Sequence, residues 1–385
     1  MNSYISDLPG VTPEHELLRM QVRKFVEREV MPHGEDWERN GEIPRTVIKR
    51  MGELGMLGMR FPECFGGADA DTTSSVIFAE ELGRSTFGGF AITILTQTDT
   101  ASPSIASAGS ETQKKKYLPA ITSGDCLVAI AMTEPDVGSD IATLRTRAKR
   151  DGSEWVIDGA KTFITNGVNA DLYVVAARTD QSAKPSRGVS LFLVEKNTPG
   201  FKVERRLEKM GWRSSDTAQL SFENCRLPGD ALLGQENHGF AALMKNVQNE
   251  RLVLAAQALG EAQAAIDLTL EYVKLRGAFG GKLWDKQAIR QRISMLAARV
   301  ESARYFVYSI AHLDAQNVEC IKQVSMIKAL CGELVNDVLY DCVQFHGGSG
   351  YMLGTAIERM FRDVRVHSIG GGATEIMLEE VAKRM

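Results

Sequence analysis

The spacing of apolar residues divides the chain into three segments. From residue 13 to about residue 119, apolar residues recur every three or four positions, which is the period of an amphipathic helix. The stripe that begins this segment consists of Leu17, Leu18, Val22, Phe25, Val26 and Val30. The pattern therefore predicts that the first third of the chain is helical.

The middle of the chain, from residue 126 to about residue 233, has a different pattern. Its apolar residues fall in short alternating or β-branched runs, and turn-forming residues such as Asp151 and Gly152 separate them. The runs read CLVAIAM, EWVIDGA, DLYVVAA, VSLFLVE and AQLSFEN. This alternation predicts strands, so the middle third is expected to form a β-domain.

The helical period returns after Gly239 and persists through residues 240–276, 287–313 and 320–345. The predicted fold class is α+β, with helical, β and helical parts in that order. We place the domains as an N-terminal helical domain at 1–125, a β-barrel-like domain at 126–235 and a C-terminal four-helix-bundle domain at 236–385.

The composition excludes several classes of protein. With 44% hydrophobic and 24% charged residues and a net charge of −4, the chain has no basic excess for nucleic acid. Its six cysteines form no CxxC pair and its six histidines no HExxH spacing, so neither disulfides nor a metal site are expected. No run approaches the roughly 18 apolar residues of a membrane span, and we expect a cytoplasmic protein without membrane insertion. The absence of GxGxxG and GxxxxGK[ST] motifs disfavours a Rossmann dehydrogenase.

Four separated motifs carry the chemistry. They read AMTEPDVGSD at 131–140, WVIDGAKTFITNG at 155–167, and then YVKLRGAFGGKL and VQFHGGSGYM in the last third. The first motif, taken alone, also fits an ordinary surface turn. As a set in this order, the motifs resemble the acyl-CoA dehydrogenase family of flavoproteins, and closest are its isovaleryl-CoA, long-chain and citronellyl-CoA dehydrogenase branches. The resemblance covers essentially the whole chain.

The resemblance implies that FAD lies between the β-domain and the last helices, usually in a homotetramer built as a dimer of dimers. The resemblance implies that Thr133 faces the isoalloxazine ring and that Arg276 contacts the pyrophosphate of a neighbouring subunit's FAD. Taken alone, Arg276 also fits a solvated cation at a helix end. Phe163 stands where many relatives have Trp. The cofactor-binding residues implied are Met132, Thr133, Phe163, Ile164, Thr165, Arg276, Phe279, Gln287, Gln344, Gly347, Gly348, Ala373, Thr374 and Glu375.

The position of the catalytic base departs from the commonest family pattern. Many members carry it as a Glu in the last loop, but here residues 369–374 read IGGGAT and Gly371 occupies that position. The isovaleryl-CoA and long-chain branches instead place the Glu on a helix within an ERL stretch, which makes Glu250 of QNERLVLAA the predicted base. From the sequence alone, Glu250 also fits a solvent-facing helix residue beside Arg251, and the glycines also fit a helix end followed by a turn.

The resemblance implies α,β-dehydrogenation of an acyl-CoA thioester to the trans-2-enoyl-CoA, with electrons passed to an electron-transfer flavoprotein. The implied substrate-binding residues are Ser139, Arg251, Gly370, Gly371 and Gly372. Loss of an aromatic-Glu pair at the glycines favours a C3-methyl branch on a medium or long acyl chain, with residues 91–105 as the far wall of the pocket. Open alternatives are a straight long-chain substrate, an acyl-CoA oxidase, and a flavin-binding paralogue without catalysis.

Overall fold

The structure is a computed structural model that describes residues 8–385, and it has helical, β and helical parts in the predicted order. Within these residues, the helices of the first part are α1 (Pro13–Phe25), α2 (Gly34–Asn40), α3 (Arg45–Glu53), α4 (Thr72–Gly83), α5 (Gly88–Leu95), α6 (Ser102–Ala108) and α7 (Glu111–Thr122). Two π-helical segments interrupt this series, Val26–Val30 after α1 and Thr96–Ala101 between α5 and α6.

The apolar stripe predicted at the start of the chain is buried except at its beginning. Val22 and Phe25 are buried, but Leu17 is 62% exposed, so its assignment to the inner face was wrong. Arg19, which the pattern did not single out, is buried instead and donates to the carboxylate of Glu80 and the hydroxyl of Tyr308. A paired charge therefore occupies part of the face that periodicity assigns to apolar residues.

The β part is an eight-stranded sheet whose strands run in the order β6-β7-β3-β2-β4-β5-β8, with β1 paired in parallel to β4. The strands are β1 (Val128–Ala131), β2 (Arg147–Asp151), β3 (Glu154–Thr165), β4 (Leu172–Arg178), β5 (Val189–Glu195), β6 (Phe201–Arg206), β7 (Thr217–Pro228) and β8 (Leu232–Leu233). The five predicted runs are all strands. The pattern missed β2 and β6, whose sequences RAKRD and FKVERR are mostly charged, and the two-residue β8.

The last part is built around a 37-residue helix, α8 (Gly239–Leu275), which packs against α4, α9 and α10. The elements that follow it are the hairpin strands β9 (Gly277–Ala278) and β10 (Gly281–Lys282) and the helices α9 (Gln287–Ala315), α10 (Ile321–His346), α11 (Gly348–Tyr351), α12 (Ala356–Val364) and α13 (Thr374–Ala382). The predicted bounds of α8, α9 and α10 agree with these within two residues.

Three apolar clusters place the helices relative to the sheet. The largest is shared by the first and last helical parts, and a second fills the interior of the sheet. The third joins the outer face of the sheet to α6, α7 and the start of α8. The segment from α5 to α6 therefore lies between the sheet and α8, next to the predicted base.

Candidate active site

The predicted base lies on α8 beside the glycine loop, residues 369–373. Glu250 is partly buried, and a Cβ atom at Gly371 would lie only 3.9 Å from its Oε1. The carboxylate on the helix therefore reaches the space that a side chain at the loop position would enter. The two positions at which the family resemblance places a base converge on one region in this fold.

Gly371 is not free to carry a side chain. Its φ of 62° lies in the left-handed region, and a Cβ there would collide with Cδ1 of Leu254 on α8. Gly372 has a φ of 102°, and a Cβ there would lie 2.6 Å from Cε of Met377. Gly371 and Gly372 are thus required by the close approach of the loop to α8 and α13, beyond any role in ending a helix.

Burial and two nearby cations set the acidity of the predicted base. Burial raises the pKa of Glu250 to about 7, against the opposing influence of the positive charges of Arg251 and Lys328. Burial likewise lowers the pKa of Lys328 to about 8. A carboxylate whose pKa lies near neutrality can accept a proton and release it again at physiological pH, which is the property that general-base catalysis needs.

Arg251 borders the glycine loop on another side. Its Nε lies 3.6 Å from where a Cβ of Gly372 would be, and burial lowers the pKa of its guanidinium. This buried Nε has no hydrogen-bond partner within residues 8–385. An unpaired buried N–H matches an acceptor supplied by a ligand, and the substrate-binding role of Arg251 stays a prediction.

Lys328, on α10, is a residue of the site that sequence reasoning missed. Its ammonium donates to the carbonyls of His367, Gly370 and Gly372, which are the residues around the loop. A signal was present in the sequence, since Lys328 interrupts the apolar face of the predicted helix between Val324 and its later buried positions. Periodicity identifies such a lysine as misplaced, but it does not say which groups the lysine binds.

The TEP stretch is fixed against the FIT stretch by backbone and charge contacts. The Thr162 N–H donates to the Thr133 carbonyl at 2.9 Å. Lys161, fully buried, donates to the Met132 carbonyl and to Glu134 Oε1, both at 2.9 Å. Two of the predicted flavin-binding segments are therefore brought together, and the buried Lys161–Glu134 pair that holds them was missed.

A β-bulge presents Phe163 to the outside of the sheet. The register of β3 against β7 shifts between Lys161 and Ile164, and Phe163 has a φ of 60° with 68% of its surface exposed. Ile164 is buried in the sheet and Thr165 is partly exposed. An aromatic ring that strained backbone holds in an exposed position beside Thr133 suits contact with the ring of a flavin.

The second set of predicted cofactor residues lies at the far end of the last helical part. Arg276 follows the end of α8, and Phe279 projects from the β9–β10 hairpin with 94% of its surface exposed. The other members, all exposed, are Gln287, Gln344, Gly347 and Gly348. Positions 250 and 276 are separated by roughly 39 Å along the helix, at 1.5 Å per residue. The predicted role of this set therefore requires a flavin held mainly by another copy of the chain.

The remaining predicted contacts are distributed around these two regions. Ser139 is exposed in the turn that follows β1. Ala373 directly precedes α13, Thr374 donates to Glu333 Oε1 at 2.9 Å, and Glu375 is exposed in the first turn of that helix. Their roles toward FAD and substrate stay predictions.

The predicted far wall, residues 91–105, is joined directly to the helix of the base. Asn246, one turn before Glu250 on α8, donates to the Asp99 carbonyl at 2.6 Å, and Asn249 donates to Asp99 Oδ1 at 3.0 Å. Asp99 is 2% exposed and belongs to the π-helical segment. The segment predicted as the far wall is thus hydrogen-bonded at Asp99 to the helix that carries the base.

Residues 8–385 contain no helix long and apolar enough to cross a membrane. The same part of the chain has no group of His, Cys, Asp and Glu side chains that could hold a metal ion.

Family models match the chain along nearly all of its length. Those for the acyl-CoA dehydrogenase N-terminal, middle and C-terminal domains match residues 12–125, 129–225 and 237–385. The mitochondrial long-chain specific acyl-CoA dehydrogenase of Sus scrofa is 42% identical over 373 residues, 97% of this chain and 86% of that protein. The mitochondrial isovaleryl-CoA dehydrogenase of Pongo abelii is 34% identical over 370 residues, 95% of this chain and 87% of that protein.

Solved structures agree with these matches. The acyl-CoA dehydrogenase of Geobacillus kaustophilus has a TM-score of 0.94 at 40% identity, covering 98% of this chain and 99% of that chain. A glutaryl-CoA dehydrogenase of Mycobacterium smegmatis in complex with FADH2 has a TM-score of 0.91 at 29% identity, covering 97% and 95%. With three domain models that match in order and relatives 42% and 34% identical over nearly the whole chain, this chain belongs to the acyl-CoA dehydrogenase family, whose members are FAD-dependent oxidoreductases acting on CH–CH bonds of acyl-CoA thioesters.

Proposed function

We propose that Glu250 is the base that removes the α-proton of the acyl-CoA thioester. The observation that carries this proposal is that its carboxylate lies beside the position of a Gly371 side chain, which would be strained there by the positive φ and would meet Leu254. Because burial raises the pKa of Glu250 to about 7, its carboxylate is a stronger base than that of an ordinary glutamate when it accepts the α-proton. FAD, when bound, supplies the acceptor for the β-hydrogen as hydride.

The glycine loop has a second role in this proposal. The Gly371 N–H makes no hydrogen bond to any residue of the described chain, although its neighbours in the loop are held firmly. A free backbone donor beside the base suits the thioester carbonyl, whose oxygen gains negative charge as the α-proton leaves. Glu250 and the Gly371 N–H would thus act on adjacent atoms of the substrate, the α-carbon and the carbonyl oxygen.

For the substrate, we propose a medium or long acyl chain with a C3-methyl branch. At Gly370 a Cβ would meet only Val366, at 3.5 Å from its Cγ2, so the loop leaves room where many relatives carry an aromatic ring. Sequence similarity to the long-chain and isovaleryl-CoA enzymes supports both features of the acyl group. The runner-up is a straight long chain.

For the partners, we propose an electron-transfer flavoprotein as acceptor and a homotetramer as the working assembly. The separation of Glu250 from Arg276 along α8 supports assembly, because it leaves the exposed Phe279 and Arg276 available to a flavin of another copy. One solved structure similar to this chain comes from work on the electron transferring flavoprotein of Acidaminococcus fermentans, which supports the proposed acceptor.

The test is anaerobic reduction of the bound flavin. We expect citronellyl-CoA, which has a C3-methyl branch on a medium chain, to bleach flavin absorbance in the wild type faster than palmitoyl-CoA does. The variant Glu250→Gln should lose at least about a hundredfold in rate, whereas Glu271→Gln, an exposed glutamate of the same helix, should not. Faster reduction by palmitoyl-CoA would replace branched by straight chains. Bound FAD that no thioester bleaches would favour a non-catalytic paralogue. If air is admitted after reduction, rapid reoxidation of the flavin by O₂ would favour an oxidase.

A further inference from the structure

A buried lysine holds the glycine loop from behind. Lys328 has 3% of its surface exposed, and its ammonium donates to the carbonyls of His367 at 2.9 Å and Gly370 at 2.7 Å. It also donates to the Gly372 carbonyl. Within residues 8–385 no carboxylate forms an ion pair with it. The ammonium has three N–H donors and three carbonyl acceptors, so moving any of these carbonyls would leave a buried N–H of the charged group without a partner. The contacts therefore fix the loop.

These contacts determine the direction of a backbone donor. The Gly370 carbonyl and the Gly371 N–H belong to one peptide unit, and in a trans peptide the two bonds point in opposite directions. Because Lys328 draws the Gly370 oxygen towards α10, the Gly371 N–H must point away from α10, to the open side of the loop. The positive φ values of Gly371 and Gly372 let the carbonyls of Gly370 and Gly372 reach one ammonium.

Helix α10 leaves space for the residues at the start of the loop. Gly332, one turn after Lys328 on α10, has no side chain, and a Cβ there would lie 2.8 Å from the His367 carbonyl. The ring of His367 is in turn bound to Glu261 Oε2 at 2.7 Å, and both residues are buried. The start of the loop is therefore anchored on both α8 and α10, which leaves its orientation to Lys328.

We propose that Lys328 is a positioning residue for the reaction, which turns the Gly371 N–H towards the substrate's thioester carbonyl. This inference rests on the proposed function, in which that N–H binds the carbonyl. Lys328 does not touch the substrate. Its effect on the carbonyl donor is transmitted through a single peptide unit, from the Gly370 oxygen that it binds to the Gly371 nitrogen on the other side.

A purely structural role for Lys328 predicts a different result from a positioning role. If Lys328 only held α10 and the loop together, its loss would weaken the binding of every CoA ligand by the same factor. If it orients the carbonyl donor, its loss should weaken only ligands that have a carbonyl. Two ligands separate these cases: an acyl-CoA thioester and the S-alkyl-CoA thioether of equal chain length, which lacks the carbonyl oxygen.

The experiment measures the Kd of both ligands by calorimetry on the FAD-loaded protein. One hydrogen bond to the carbonyl should make the wild type bind the thioester about fivefold more tightly than the thioether. In Lys328→Met the ratio should fall to about one. Lys322→Met, earlier on α10 and partly exposed, should keep the wild-type ratio. If Lys328→Met does not retain FAD, Lys328→Arg, which keeps the charge but not the shape of the ammonium, should also lower the ratio.

The ratio of the two Kd values tests the role of Lys328 independently of whether Glu250 is the base. A ratio that stays near the wild-type value in the Lys328 variants, with or without loss of overall affinity, overturns the positioning role. Glu250→Gln should keep the fivefold ratio while losing flavin reduction. If Glu250→Gln instead reduces its flavin normally, the proposed base is wrong, and the ligand ratio still tests Lys328.

Discussion

The acidity of Glu250 gives the sharpest test of the site. Burial raises its pKa to about 7, whereas the unfolded chain has a value near 4.5. The ionised fraction that can accept a proton should then rise from about one in eleven at pH 6 to about ten in eleven at pH 8, a tenfold change. The rate of flavin reduction at saturating acyl-CoA should rise by about the same factor.

The assay is anaerobic stopped-flow reduction of the FAD-loaded protein between pH 5.5 and 8.5. The wild type and Glu271→Gln should give the same rising profile, because Glu271 is an exposed residue of the same helix. Glu250→Gln should be slow at every pH and should lack the rise. A wild-type rate that is flat between pH 6 and 8 would contradict an ionisation near 7 in the reacting complex.

The same shift predicts how stability depends on pH. A folded pKa above the unfolded value means that the protonated carboxyl is favoured in the fold, so its stabilising effect is full below about pH 4.5 and is lost as pH rises through about 7. The loss corresponds to about 3 kcal/mol. In the protein without ligand, Glu250→Gln should therefore be destabilised less by a change from pH 5 to pH 8 than the wild type is, as measured by urea unfolding.

Three further predictions concern single substitutions. Gly371→Ala should lower stability by about 1–3 kcal/mol in thermal unfolding, because its φ is 62°, whereas Gly138→Ala, with open space around it, should not. Equal melting temperatures for the two variants would contradict this. Phe163→Ala should weaken FAD binding, measured by fluorescence titration, without lowering the stability of the flavin-free protein, because the ring is 68% exposed. An unchanged FAD affinity would remove the ring from the cofactor site. Burial and the charge of Glu38 raise the pKa of Asp363 in the fold, so the stability that its protonated carboxyl contributes is lost as pH rises above the pKa of an unfolded aspartate, near 4. Asp363→Asn should therefore reduce the loss of stability between pH 5 and 8. A pH dependence identical to that of the wild type would mean that Asp363 is ionised in the fold.

Much of the fold could be read from local pattern. The long helices α8, α9 and α10 were predicted nearly to the residue, because a period of 3.6 sustained over more than twenty positions is hard to mistake. Strands with apolar runs were recognised for the same reason. The strands β2 and β6 were missed because they are mostly charged, and their identity depends on pairing with β3, β4 and β7 rather than on their own sequence.

For the site, the sequence determined the candidate residues and the family. It named Glu250 through the ERL stretch and Gly371 through the absence of a loop carboxylate, because both are features of residue type at a given position. Family models and relatives confirmed the family. The individual site roles stay predictions, although the structure brings Glu250 and Gly371 together.

Only the tertiary structure decided which groups act on one another. Nothing local connects Lys328 with a loop forty residues later, or makes a Cβ at Gly371 collide with Leu254. The pKa of Glu250 depends on burial by several elements and on the charge of Lys328, so it exists only in the folded chain. Residue type and period are properties of neighbours in sequence, whereas burial, hydrogen-bond direction and charge coupling are properties of neighbours in space.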